Sequence, residues 1–465
     1  MSYSLNPAYT PVEYLPLTSG QKYTMNVMMK INRPGWYTIE LLLKTKAPMN
    51  VPAMKEAIYY LIDKYESLRV RILDRNGERV QEVYPLDAAD PFTSYDLSNE
   101  DHNTRMETMK KACIKERDGF RPEKGNLIRI IFFRFSEKEG RLWLCLHHVI
   151  SDFGSVFILS SELLATYNQI LQGGKLKWER VIEYRKWLYL VEGYLRDTLL
   201  PAELGYWISR PWDKVKFLPS DHPDIFHLGN GIADQVRNIK EAGSFRSNTY
   251  WIGQQVTMKL FAKFGADFEN FLIALVFLSI AKQRKVDCLH INACNSGRHI
   301  LPAEYGVNIY KLLGYLALTK ALVLEDPDTG DWLTDVQDVL EQVKDIPNGG
   351  IGFYQLEAQI KNEMEKSGDF GLTTQSEIYF NYLGRVESNL DDKLYELADE
   401  DTGLNLYERE IHGVLMELLV GVVNNRMFFN IFFCEGYLTE ASIEEIVNSL
   451  QKMAGQIVVE SLIEN

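Results

Sequence analysis

At 465 residues the chain exceeds the length at which a single hydrophobic core stops growing, so it is read as two domains. Hydrophobic residues at 46% and charged residues at 25% are the proportions of a soluble globular protein. A net charge of −14 argues against a nucleic-acid partner, which asks for a basic face, yet leaves room for a local basic patch that docks a small acidic one.

From the N-terminus, Met1 to Thr10 carries no basic segment followed by an apolar stretch, so no secretory signal is read. Val51 to Tyr65 has helical periodicity, with Met54, Ala57, Ile58, Leu61, Ile62 and Tyr65 apolar and Pro52 suited to a first turn. A second helix is expected over Asn103 to Arg117, stopped by Asp118-Gly119. Leu127 to Phe135 and Arg141 to His147 read as strands, and the short polar link from Ser136 to Gly140 makes them a hairpin. Ser155 to Leu171 reads as a helix ended at Gly173-Gly174.

Residues 175 to 245 read as a connecting region, helical over Trp187 to Leu200 and then punctuated by Pro211, Pro219, Pro223, Gly229 and Gly231. A second α/β unit follows. Asp267 to Arg284 is almost wholly apolar, the pattern of a buried helix, and Val286 to Asn292 is a short strand. Asp331 to Val343 is amphipathic. His412 to Val423 and Arg426 to Cys434 form a hairpin around Asn424-Asn425, a pair that tolerates positive φ, and Glu440 to Leu462 is a closing helix. The longest apolar run, Phe271 to Ala281, is interrupted by Ser279 and too short for a membrane span. Cys113, Cys145, Cys288, Cys294 and Cys434 are scattered and odd in number, which suits free thiols in a reducing compartment; the cytoplasm is the expected location.

The most informative stretch is His147-His148-Val149-Ile150-Ser151-Asp152-Phe153, followed by Gly154-Ser155. It begins where the apolar run Leu142 to Leu146 stops, and that run is apolar on both faces, as in an interior strand. Successive strand residues point to opposite faces, so only one of the two histidines can face a given cavity. A buried imidazole needs partners for its ring nitrogens, and the motif lies on a strand-to-helix loop, where ligand and catalytic groups collect in α/β folds.

These residues resemble the His-His-x-x-x-Asp-Gly motif of condensation domains of nonribosomal peptide synthesis and, more broadly, of the chloramphenicol-acetyltransferase-like acyltransferases. Other segments follow in the family's order. Ser19-Gly20-Gln21-Lys22-Tyr23 is similar to its Ser-x-Ala-Gln motif, and Tyr65-Glu66-Ser67-Leu68-Arg69 to its Arg-His-Glu-x-Leu-Arg helix end. Tyr184 to Trp187 is an echo of its Tyr-x-Asp-Phe-Ala-x-Trp element. Ser296-Gly297-Arg298 resembles its Gly-Arg segment, Leu313-Gly314-Tyr315 its Val-Gly-x-Phe motif, and Phe380-Asn381-Tyr382-Leu383-Gly384 its Asn-Tyr-Leu-Gly signature.

The resemblance implies an α/β fold of two chloramphenicol-acetyltransferase-like lobes, each a mixed sheet with flanking helices, forming a V around an active-site tunnel. The first lobe would be residues 1–176 and the second 177–465, with 177–245 connecting, in a free-standing, monomeric member. It implies acyl transfer from a phosphopantetheine thioester, on coenzyme A or an acyl or peptidyl carrier protein, to a small-molecule amine or alcohol, with no permanently bound cofactor. By the same resemblance His148 is the catalytic histidine and His147 structural or positioning, while Asp152 pairs with Arg298 to fix the loop. Phe153, Gly154 and Ser155 would adjoin the substrate, and Asn381 and Tyr382 would line the tunnel. Imidazole suits the task, since a pKa of about 6.5 lets it accept and return a proton near neutrality.

One departure stands out: Phe153 occupies the motif's glycine position, and glycine is displaced to 154 with Ser155 still in register. A phenylalanine there is expected to narrow the tunnel, select another acyl chain, or silence catalysis and leave a domain that recruits a carrier or partner. Epimerizing members carry a glutamate before the Gly-Arg segment; Cys294-Asn295-Ser296 has no carboxylate. Cys288, His290, Cys294 and His299 lack metal-ligand spacing, and the polar run Asp221-His222-Pro223-Asp224 with His227 reads as a loop, so no metal is expected. Gly349-Gly350-Ile351-Gly352 lacks the ending of a phosphate loop and reads as a turn, and no Gly-x-Ser-x-Gly elbow supports a serine hydrolase.

Overall fold

The computed structural model describes residues 13–28, 35, 37–84, 90–177, 181, 183–223, 245–367, 376–385, 395–403 and 414–460. The chain divides into two compact units that interleave in sequence: Met1–Gly193, Ser296–Ala317 and Ser388–Asn405 form the first, and Tyr194–Asn295, Leu318–Glu387 and Leu406–Asn465 the second. Two later segments therefore pack with the N-terminal portion, and the first unit's contiguous part runs past residue 176 to Gly193.

Among the described residues the first unit holds a mixed five-stranded sheet in the order β12-β2-β7-β6-β5. Its strands are β2 (Thr38–Thr45), β5 (Phe92–Asp96), β6 (Ile128–Arg134), β7 (Gly140–His147) and β12 (Tyr395–Leu397). The pair β5 and β6 is parallel, and the other pairs are antiparallel. All eight residues of β7 are buried, with Leu144 opposite Leu41 on one side and Ile130 on the other. A three-stranded sheet of β1 (Glu13–Pro16), β3 (Val70–Arg75) and β4 (Glu78–Val83) accompanies it.

Helix α2 (Val51–Lys64) starts where the sequence places it: Asn50 caps Ala53 N–H at 3.0 Å, with proline in the first turn. Helix α3 (His102–Asp118) is capped by Asp101, and α4 (Phe153–Leu171) packs against α2. The segment around β12 is tied in by charge. Buried Arg117 reaches Glu40 Oε2 and the Thr402 carbonyl, both at 2.6 Å, and Arg141 Nε reaches Glu400 Oε1 at 2.6 Å.

The second unit is built on a six-stranded sheet in the order β10-β9-β11-β13-β14-β8. The strands are β8 (Phe245–Ile252), β9 (Cys288–Asn295), β10 (Leu318–Glu325), β11 (Ile378–Arg385), β13 (Met416–Val423) and β14 (Arg426–Cys434). Asn424 and Asn425 make the expected turn between the last two, at φ 50° and 59°. The helix Phe268–Arg284 is buried along nearly its whole length, against Trp332–Asp345 and Glu440–Glu460. The helical stretch Gln254–Arg284 is long and apolar enough to cross a membrane, yet 67% of its most apolar window is buried inside the protein, as in a core helix.

The helical part of the connecting region runs further than expected, to Ile208, while the described stretch around Pro211 and Pro219 is irregular apart from one 3-10 turn. Helix α5 (Glu183–Tyr194) passes through a π-helical turn, Leu195–Leu199, into α6 (Leu200–Ile208), where proline falls in the tolerated first turn. Gly229, Gly231 and residues 412–413 and 461–462 of the expected hairpin and closing helix lie outside the described residues. Pro347–Gly350 is a tight turn, with positive φ at Asn348, Gly349 and Gly350.

Candidate active site

Strand β7 stays buried to its end and then makes one 3-10 turn, His148–Ile150, before α4 begins. The two histidines have different surroundings. His147 is fully buried; its Nδ1 accepts from Val149 N–H at 3.2 Å, and its ring meets Phe120 edge-on at 5.7 Å. An accepting Nδ1 leaves the ring proton on Nε2, so this imidazole serves the turn. His148 is half-buried: its backbone N–H donates to the Tyr37 carbonyl at 2.7 Å, and its ring lies 4.8 Å from that of Tyr37 and 5.4 Å from that of Tyr315.

A second support comes from helix α1 (Ser19–Met28). Thr18 and Gln21 cap each other, Thr18 N–H to Gln21 Oε1 and Gln21 N–H to Thr18 Oγ1, both at 3.0 Å. Buried Gln21 then donates from Nε2 to the Val149 carbonyl at 2.9 Å. Side chains thus hold both polar groups of Val149, one from each side of the turn. Gln21 Nε2 also lies 3.0 Å from Gln81 Oε1, which accepts from Tyr184 Oη at 3.0 Å; burial pushes the Tyr184 phenol upward.

Asp152 caps α4. Its Oδ1 accepts from Ser155 N–H at 2.7 Å and from Arg298 Nη2 at 2.8 Å, and its Oδ2 from Leu316 N–H at 3.3 Å. The guanidinium is fixed in turn by the Ile309 and Leu312 carbonyls, which accept from Nη1 at 3.2 and 3.0 Å. Ser155 Oγ lies 2.7 Å from Asp152 Oδ1 and 2.8 Å from the Gly314 carbonyl, and it accepts from Gly314 N–H at 3.1 Å. The charge pair is largely enclosed, with side-chain exposures of 9% for Asp152 and 16% for Arg298.

The displaced glycine has a steric reason. A Cβ on Gly154 would stand 2.9 Å from Arg298 Nε and 3.1 Å from Nη2, so the guanidinium occupies the space a side chain would need. Gly154 and Ser155, expected beside the substrate, are thus turned to the ion pair, and Ser155 is buried. Phe153, the first residue of α4, is half-buried and packs edge-on against Phe157 one turn later, at 4.9 Å.

Asn381 and Tyr382 belong to the second unit, on β11, where they pair in register with Leu419 and Val420 of β13. The Tyr382 ring lies 5.9 Å from Phe268, and burial, followed by the charge of Glu269, pushes its phenol up to about 12. His290 is a buried core residue of β9, edge-on to Trp212 at 5.7 Å and Phe353 at 5.6 Å. Among the described residues no three His, Cys, Asp or Glu side chains are grouped to hold a metal; Asp224 and His227 lie outside them. Sequence reasoning did not single out Tyr37 or Thr24. It found Gln21 and Tyr315 only as letters of short motifs.

The chain belongs to the condensation-domain family, whose model matches residues 13–461. It is 22% identical over 403 residues to bacitracin synthase 2 of Bacillus licheniformis, covering 86% of this chain and 15% of that protein. It is 21% identical over 394 residues to gramicidin S synthase 1 of Brevibacillus brevis, covering 82% of this chain and 32% of the relative. The chain therefore spans a minor part of the length of these relatives. In structure it resembles the epimerization domain from the third module of tyrocidine synthetase B, with a TM-score of 0.79 at 18% identity over 99% of both chains. It also resembles the starter condensation domain of rhizomide synthetase in complex with C8-CoA, with a TM-score of 0.68 at 12% identity over 95% of both chains. The fold is that of the chloramphenicol-acetyltransferase-like condensation domains.

Proposed function

We propose that this condensation domain transfers an acyl or peptidyl group from a phosphopantetheine thioester to an amine or hydroxyl acceptor, with His148 as general base. The observation that carries the reading is the division of labour between the histidines. His147 is buried and engaged with the turn, whereas His148 is half-buried at the strand end, on a turn held from both sides. In this reading His148 takes the proton of the attacking amine or hydroxyl as the new bond to the carbonyl carbon forms. It returns that proton as the carbon–sulfur bond breaks, so the arm leaves as a thiol. Membership of a family found in peptide synthetases supports a carrier-borne donor, and the C8-CoA complex of a neighbour supports a thioester ligand of this kind. The buried thiols Cys113, Cys145, Cys288 and Cys434 support a reducing compartment such as the cytoplasm.

Phe153 favours a second reading, a domain that binds a carrier without turnover, because a half-buried ring stands at the motif's glycine position. The test is mass spectrometry of products from acyl-coenzyme A and acyl-carrier thioesters offered with amines and alcohols, beside a His148→Ala control. A new amide or ester absent from the control supports acyl transfer. Exchange of the donor's α-hydrogen for deuterium, with no condensation, assigns epimerization. Tight carrier binding with neither reaction assigns the silent reading.

A further inference from the structure

We infer that Tyr37 and Tyr315 are positioning residues that bracket the His148 imidazole and fix its ring plane, with Thr24 pinning Tyr315. The inference rests on the reading of His148 as the base. Three observations within the first unit carry it. The Tyr37 ring is stacked on His148 at 4.8 Å and 29° between planes, while Tyr315 lies at 5.4 Å and 46°. The backbone beneath is already fixed, because His148 N–H donates to the Tyr37 carbonyl at 2.7 Å and its own carbonyl accepts from Ser151 N–H at 3.3 Å. What backbone bonds leave open is rotation about the side-chain torsions, of which the outer one is soft in histidine. Two aromatic rings packed against the imidazole restrict that rotation.

Tyr315 is itself held. Its hydroxyl lies 2.8 Å from Thr24 Oγ1, and it is buried. A Cβ on Gly20 would come within 2.8 Å of Tyr315 Cε1 and 2.1 Å of the Ala317 carbonyl, so helix α1 packs flush against this segment because residue 20 has no side chain. The helix whose Gln21 grips the histidine turn therefore also seats the ring beside the imidazole. Chemically, a base held in a near-attack orientation avoids reorienting during reaction, so the bracket acts on turnover more than on substrate affinity.

The test combines NMR of ring-labelled histidine with steady-state kinetics. The His148 signals are assigned by their loss in His148→Ala, among eight histidines. In the native protein they should carry a ring-current shift that diminishes in Tyr37→Leu and in Tyr315→Leu. The kcat of each variant should fall roughly 10- to 100-fold with KM nearly unchanged. Tyr315→Phe keeps the ring but loses the Thr24 pin, so its shift and rate should fall between those of the parent and of Tyr315→Leu, which also guards against a Tyr315→Leu variant that fails to fold; values equal to the parent's would remove Thr24 from the bracket. Turnover in the native protein with His148 signals unmoved in the variants overturns the bracket alone. A rise in KM at constant kcat also overturns it, by making the rings substrate contacts. Absence of any turnover in the native protein, with the shift intact, overturns the role of His148 as base and the positioning role with it.

Discussion

Strands β7 and β13 are both interior strands of mixed sheets, and they end differently. Strand β13 runs into the Asn424-Asn425 turn and pairs throughout with β14, in a unit whose core is a continuous apolar cluster including Phe271, Phe277, Ile431 and Phe433. Strand β7 runs into two imidazoles, and the first unit buries Gln21, Thr24, His147, Asp152 and Ser155 around that end. Buried polar groups are costly unless bonded, and at this strand end each has named partners, which is what makes it the candidate site. The second unit buries polar side chains too, Asn292, Ser376 and Glu377 among them, but on β9 and just before β11 rather than at a strand end that carries two imidazoles.

Four changes test that contrast. His148→Ala should lower turnover by roughly 10²- to 10⁴-fold with an unchanged melting curve, because the imidazole is removed while the turn keeps His147 and Gln21; a rate equal to the parent's removes His148 from the mechanism. Phe277→Ala should do the converse, costing about 3–5 kcal/mol in denaturant unfolding by opening a cavity in the second unit. A loss under about 1 kcal/mol would mean that this core is loosely packed.

Arg298→Ala should fall between, at about 3 kcal/mol, the low end for breaking a buried pair, since Asp152 keeps its bonds from Ser155 and Leu316. Turnover should fall as well, because the loop before α4 loses its anchor. Unfolding curves superimposable on the parent's would show that the pair contributes nothing to stability.

The smallest effect concerns Glu203, a buried carboxyl of the second unit that accepts from Asn348 Nδ2 at 2.8 Å and from Trp207 Nε1 at 3.1 Å. Burial raises its pKa above the ordinary 4.5, and those hydrogen bonds offset only part of the rise. The folded state then holds a proton that the unfolded chain releases first. The stability this contributes is present below the unfolded pKa and is lost as pH rises through the folded one. Relative to Glu203→Gln, the parent should therefore lose stability on going from pH 4 to 7, and a flat difference would mean the carboxyl is unshifted.

Much of this architecture was legible in the residues because the signals are local. Apolar runs and polar links placed β6, β7, α4 and the β13–β14 hairpin, and the double histidine marked the β7–α4 junction as the candidate site. Helix α6 was hidden because proline reads as a breaker unless the helix start is known. The Phe153 and Gly154 exchange read as a gate or a lesion. In the fold, the glycine leaves room for Arg298, a relation between residues far apart in sequence that periodicity cannot register. Tyr37 and Tyr315 reach His148, and Gln21 the adjacent Val149, from three separate segments, so only the folded chain brings them together.

The interleaving of the units has a consequence for biosynthesis. A ribosome delivers the two histidines long before it delivers Arg298 and Tyr315, and the edge strand β12 later still. The nascent first unit must wait, with Asp152 lacking its cation until residues 194–295 have been made and β2 lacking its outer neighbour until 318–387 have followed. Closure of such sequence-distant contacts is slow, and an unpaired strand edge invites association with other chains. Expression yield and chaperone dependence should therefore respond most to changes in the two late segments, 296–317 and 388–405, although neither carries a histidine of the β7–α4 turn.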